Sequence, residues 1–119
     1  MKLINRSALL VLPRQPYVDW VNGLETDISG LEAPLSLEAH RAEGRVYLVT
    51  EGGENADVAA QLDRLWRRIW DNELGAWDEF GDAWPAPSRA LFERWFEVAP
   101  QLICFDLADE PLLVAQMES

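Results

Sequence analysis

The run Ala8-Leu9-Leu10-Val11-Leu12 is apolar without a break and is closed by Pro13. An unbroken run of that length suits a strand buried on both faces, since a half-solvated strand alternates. At five residues it falls far short of the ~20 apolar residues of a membrane span. Such a strand needs neighbours in a sheet and a layer to cover it, so the rest of the chain must supply both. The cover begins at once. Pro16 stands where a helix can start, because its missing N–H would go unsatisfied there anyway. Tyr17, Trp20, Val21 and Leu24 follow at i, i+3, i+4 and i+7, and Gly23 marks the helix end.

The other elements follow from the same signals. Ser36 is placed to cap a brief helix ending at Gly44. Val46-Tyr47-Leu48-Val49 predicts a second strand, stopped by Gly52-Gly53. Asn55 is a candidate N-cap for the longest helix, which should run to about Leu74 with Gly75 beyond it. On that helix Trp66, Ala59, Trp70, Leu62, Ile69 and Leu65 share one arc, and Asp63, Arg67 and Asp71 form i, i+4 pairs on the other. Ser88 caps a further helix carrying Leu91, Phe92, Trp95 and Phe96, with Pro100 as its stop. Leu102 to Phe105 predicts a third strand, and Leu112 to Ala115 a fourth strand or a tail lying over the core. The expected fold is α+β in two layers: a mixed sheet of three to four strands covered by three to four helices. All 119 residues should form a single compact domain.

Charge narrows the partners. The chain has 10 Lys and Arg against 21 Asp and Glu, a net charge of −11. A surface of that sign repels a phosphate backbone, so direct binding of nucleic acid is not expected. The excess lies in the second half, with 5 bases and 15 acids after residue 50. Asp71, Glu73, Asp78, Glu79 and Asp82 follow one another with no intervening base. The lone Cys104 leaves no internal disulfide, and no segment has the length of a signal or membrane segment, so a cytoplasmic location is expected.

Catalytic kits are missing. Cys104 and His40 are the single thiol and single imidazole. The first is expected in an apolar strand, where burial makes a thiol inert, and the second on an exposed polar helix. One His and one Cys cannot assemble a zinc site, and an EF-hand starting at Asp71 fails because Ala76 replaces its turn glycine. Asp78, Glu79 and Asp82 leave open a loose carboxylate site for Mg²⁺ or Ca²⁺. There is no phosphate-cradling glycine motif. No cofactor is expected.

Six tryptophans are unusual in so short a chain. Trp20, Trp66, Trp70 and Trp95 fall on the apolar helix faces and are expected in the core. Trp77 and Trp84 fall in a Gly- and Pro-broken acidic loop, where an exposed aromatic residue would suit an interface. The leading candidate site is therefore an interaction surface of Asp71, Glu73, Trp77, Asp78, Glu79, Asp82 and Trp84 that meets a basic protein. The alternative is a small-molecule pocket, or a weak enzyme, lined by Trp20, Trp84 and Trp95 with Asp19 and Arg94 as polar handles. A third reading has the acidic face imitate nucleic acid.

Arg14-Gln15-Pro16-Tyr17-Val18-Asp19-Trp20, Trp84-Pro85, Arg94-Trp95-Phe96-Glu97 and Phe105-Asp106-Leu107 together resemble a family of short bacterial proteins of unassigned function. That family usually has Phe where Tyr17 stands and Asp where Glu97 stands. The resemblance implies a bacterial, cytoplasmic, single-domain protein and brings no activity or site residue with it.

Overall fold

The computed structural model describes residues 1–52 and 57–117. The apolar run becomes β2 (Arg6–Pro13), the middle strand of a three-stranded sheet ordered β3-β2-β4, with β3 spanning Arg45–Thr50 and β4 Phe96–Gln101. One face of β2, carrying Ser7, Leu9, Val11 and Pro13, is fully buried. Leu9 and Val11 join Val49 and Phe96 in a core completed by the helices α1 (Gln15–Gly23), α4 (Val58–Gly75) and α5 (Arg89–Trp95). Those helices contribute Tyr17, Val21, Leu62, Ile69, Trp70, Leu74, Phe92 and Trp95. The opposite face is only partly covered. The register sets Leu10 between Val46 and Ala99; Val46 and Leu48 are exposed, and Leu10 and Ala99 half-buried.

The α+β class is as expected, but the sheet is antiparallel throughout rather than mixed. Its cause lies at one end of β2. The brief helix α3 (Leu37–Ala42), capped by Ser36, delivers Gly44 against the Leu12 side chain and the Val11 carbonyl, and Arg45 then pairs with Val11. Helix α5 ends at Trp95, whose carbonyl accepts the Arg14 N–H at 2.8 Å, and Phe96 pairs with Pro13. Both outer strands thus start beside the finish of β2 and run back along it. This also explains why the helix expected to reach Pro100 stops at Trp95: Phe96 and Val98 are taken into the sheet. Pro100 is tolerated because β4 is an edge strand, where a missing N–H interrupts nothing.

The long helix starts later than the sequence signals suggest. Asp57 accepts the Ala59 N–H at 2.9 Å as N-cap; Asn55 lies outside the described residues. Trp70 is completely buried and Trp95 nearly so, while Trp20 and Trp66 are half-buried against the core. A short helix, α2 (Thr26–Ser29), lies between α1 and α3.

The largest departure is a second, separate sheet. β1 (Lys2–Ile4) pairs with β5 (Cys104–Asp106) in an antiparallel ribbon, Leu3 opposite Phe105. Only part of the predicted strand 102–105 is a strand, and it does not join the main sheet. Leu112 to Ala115 forms no strand and covers nothing, since residues 107–117 are all exposed. Ser7 ties the ribbon to the sheet, accepting the Gly52 N–H at 2.7 Å and donating to the Leu102 carbonyl at 2.9 Å. The radius of gyration is 15.8 Å, against about 13.5 Å for a compact chain of this length; the ribbon and the segment after it project as an arm.

Candidate functional site

The seven residues of the acidic, Trp-bearing region do not form one surface. Helix α4 ends at Gly75, and the chain turns back through Trp77 and Asp78, whose N–H groups donate to the Leu74 carbonyl at 3.1 and 3.0 Å. That turn carries Asp78 inward, to 1% exposure. Its carboxylate accepts the N–H groups of Asp82 and Ala83 at 3.2 and 2.7 Å, and its carbonyl accepts the Trp84 indole N–H at 2.8 Å. Asp78 therefore holds the loop shut from inside. Gly81 supplies the one left-handed residue of that turn, at φ 73°, beside the Trp84 ring. Trp77 and Trp84 pack against the core rather than standing out. Asp71 is half-buried and paired with Arg67 at 3.0 Å; Glu79 and Asp82 are exposed. The exposed aromatic residue here is Phe80, at 84%.

Glu73 is also inside. It accepts a short hydrogen bond from the Tyr47 hydroxyl and lies 3.4 Å from the Arg45 guanidinium. Burial pushes its carboxyl above the usual glutamate range, opposed by the Tyr47 hydroxyl and the Arg45 charge. Tyr17 donates to the Glu73 carbonyl at 2.7 Å, and Asn72 donates to the Tyr47 hydroxyl at 2.9 Å. Burial, reinforced by the Glu73 charge, raises both phenols. This network is satisfied within the protein and acts as a brace between β3 and α4. His40 is buried too, not exposed as its polar helix suggests. It packs edge-on to Tyr17 and Trp77, with Nε2 unpartnered, and burial lowers its pKa. Cys104 sits half-buried on β5.

The aromatic pocket is filled by its own lining. Trp20 and Trp95 pack as tilted rings with centroids 5.7 Å apart and Trp70 and Trp95 likewise at 5.2 Å, while the Trp20 indole donates to the Ala83 carbonyl at 3.0 Å. Asp19 accepts from Gln15 at 2.8 Å, and Arg94 is exposed. No three metal-ligating side chains converge among the described residues, so Asp78, Glu79 and Asp82 do not form the loose cation site.

What the sequence reading missed is the arm. Among the described residues, ten of the thirteen exposed large hydrophobics are Met1, Leu3, Leu102, Ile103, Phe105, Leu107, Leu112, Leu113, Val114 and Met117. Scattered apolar residues need no explanation, but contiguous patches mark interaction sites. A depression of about 540 Å³ runs along the arm between Lys2, Leu3, Ile4 and Asn5 on one side and Asp106, Asp109, Pro111 and Leu112 on the other. Acid accompanies the apolar groups: Asp106 pairs with Lys2 at 3.5 Å, while Asp109 and Glu110 stand exposed with no ion pair among the described residues. A second depression, of about 330 Å³, opens beside α4 and the C-terminal end of β3. No helix among the described residues is long and apolar enough to cross a membrane. No family model matches the chain, and neither a curated protein nor a solved structure shows significant similarity to it.

Proposed function

We propose that this is a non-enzymatic, cytoplasmic binding module that engages another protein through its β1–β5 arm rather than through the acidic loop. The observation that carries the reading is the concentration of exposed apolar side chains on residues 1–3 and 102–117. These segments, which carry β1 and β5, amount to about twenty residues, the number a standard interface uses per side. A two-stranded ribbon is marginal when left to itself in water, which favours a covering partner. The chemistry of the arm sets the chemistry of that partner: an apolar groove to take Leu112 and Leu113, rimmed by bases to meet Asp109 and Glu110. The basic partner expected from the charge of the chain is retained, but its site moves.

The test is capture of partners from lysate at low and high salt, with the wild-type chain and with Leu3→Glu/Phe105→Glu. Apolar contact through the arm predicts an identified protein that survives high salt and is lost with the double variant. Binding that is released by salt and abolished by Glu79→Gln/Asp82→Asn, with the arm variant unaffected, would overturn the assignment.

A further inference from the structure

The depression beside α4 has the chemistry that the arm calls for. Arg6 at the start of β2 and Arg64 and Arg68 on α4 line it, with Leu48, Leu65 and Thr50 between them. Five of the ten bases, Lys2, Arg41, Arg45, Arg67 and Arg89, stand in ion pairs. Among the described residues, these three arginines have no carboxylate within ion-pair distance, in a chain with twice as many acids as bases. Arg64 and Arg68 are four apart on one helix face, a like-charge spacing that costs helix stability unless an anion lies between them. Arg67, one position away, has Asp71 four residues on and pairs with it. The apolar floor is also incompletely covered, Leu48 being 49% exposed.

We infer that this groove receives the segment Asp109–Val114 from a second copy of the chain, with Asp109 and Glu110 against Arg64, Arg68 and Arg6, and Leu112 and Leu113 over Leu48 and Leu65. The inference rests on the reading of the arm as a protein-binding element and identifies its partner. Two features left unmatched among the described residues complement each other in sign and in polarity. One is an exposed acidic and apolar segment; the other is an arginine-rimmed apolar groove. Two such exchanges related by a two-fold axis close the assembly at a dimer, because the same pair of surfaces is used in both directions. Arginine suits the contact, since its fork can bind a carboxylate with two parallel hydrogen bonds.

The experiment is the solution mass of the full chain across a concentration series, by light scattering coupled to gel filtration. Wild type should approach twice the monomer mass at high concentration. Arg64→Glu/Arg68→Glu and Asp109→Arg/Glu110→Arg should each be monomeric and should melt with wild type at concentrations where wild type is itself monomeric, and the four changes combined should restore the dimer. A wild-type chain that stays monomeric at every concentration overturns the inference. So does a dimer indifferent to the charge reversals. Neither result touches the arm reading, which stands or falls on whether Leu3→Glu/Phe105→Glu abolishes capture of a protein from lysate.

Discussion

Replacing Asp78 by Ala separates a loop clamp from a docking residue. The wild-type carboxylate accepts two backbone N–H groups, at 2.7 and 3.2 Å, from 1% exposure. Hydrogen bonds to a charged group are worth about 1.5–3 kcal/mol each. The longer bond belongs at the low end of that range, and removing a buried charge returns part of the loss, so ~3 kcal/mol in all is expected. At ~2.1 cal/mol/K per residue, the unfolding entropy of this chain is ~250 cal/mol/K, and the melting temperature should fall by ~12 °C. Asp78→Asn keeps one acceptor but turns an amide toward the second N–H, and should lose about half as much. Glu79→Gln and Asp82→Asn, both exposed, should each stay within ~0.5 kcal/mol of wild type. Thermal unfolding followed by circular dichroism, with tryptophan fluorescence as a second probe, reads all four. A shift under ~2 °C for Asp78→Ala would refute the clamp and return Asp78 to the surface.

Other expectations follow from buried groups. The raised carboxyl of Glu73 means that the unfolded chain gives up its proton first, so stability falls as pH climbs from the ordinary value of 4.5 toward the folded one. The melting-temperature difference between wild type and Glu73→Gln should therefore shrink or turn negative from pH 4 to pH 7; a difference that grows would contradict the burial. His40 is shifted the other way, so its contribution is present above the ordinary value of 6.5 and is lost as pH falls below it. His40→Gln should lose less stability than wild type between pH 7 and pH 5, which a pH series of thermal melts measures. Ser7→Ala strands the half-buried Gly52 N–H and frees the Leu102 carbonyl, costing about 1–3 kcal/mol. In hydrogen exchange, the β1–β5 amides of that variant should lose protection before those of β2.

The sequence carried the elements better than their assembly. The Ala8–Leu12 run, the Pro16 helix start, the Ser36 and Ser88 caps and the apolar face of α4 all appear where local chemistry put them. Strand direction was not local. It depends on Gly44 and Trp95 both arriving beside the end of β2, a tertiary contact that no periodicity encodes. Phe96 shows the same limit, since its helical spacing with Phe92 is genuine yet it serves the sheet. The acidic loop misled because composition reports charge without direction: Glu73 and Asp78 read as surface, but one braces β3 and the other closes a turn. The arm was hidden for the opposite reason. Leu102, Ile103 and Leu112–Val114 look like core strands, and their apolar character is the very property that is remarkable only once they are found exposed.

The most direct test of the arm as a protein-binding surface is site-specific photo-crosslinking in cells of the source organism, with benzoylphenylalanine at Phe105 in one chain and at Glu79 in another. A discrete protein adduct is expected from position 105, to a second copy or to another chain, and none from position 79. Adducts from 79 alone would place the interface on the acidic loop and contradict the arm as the binding surface.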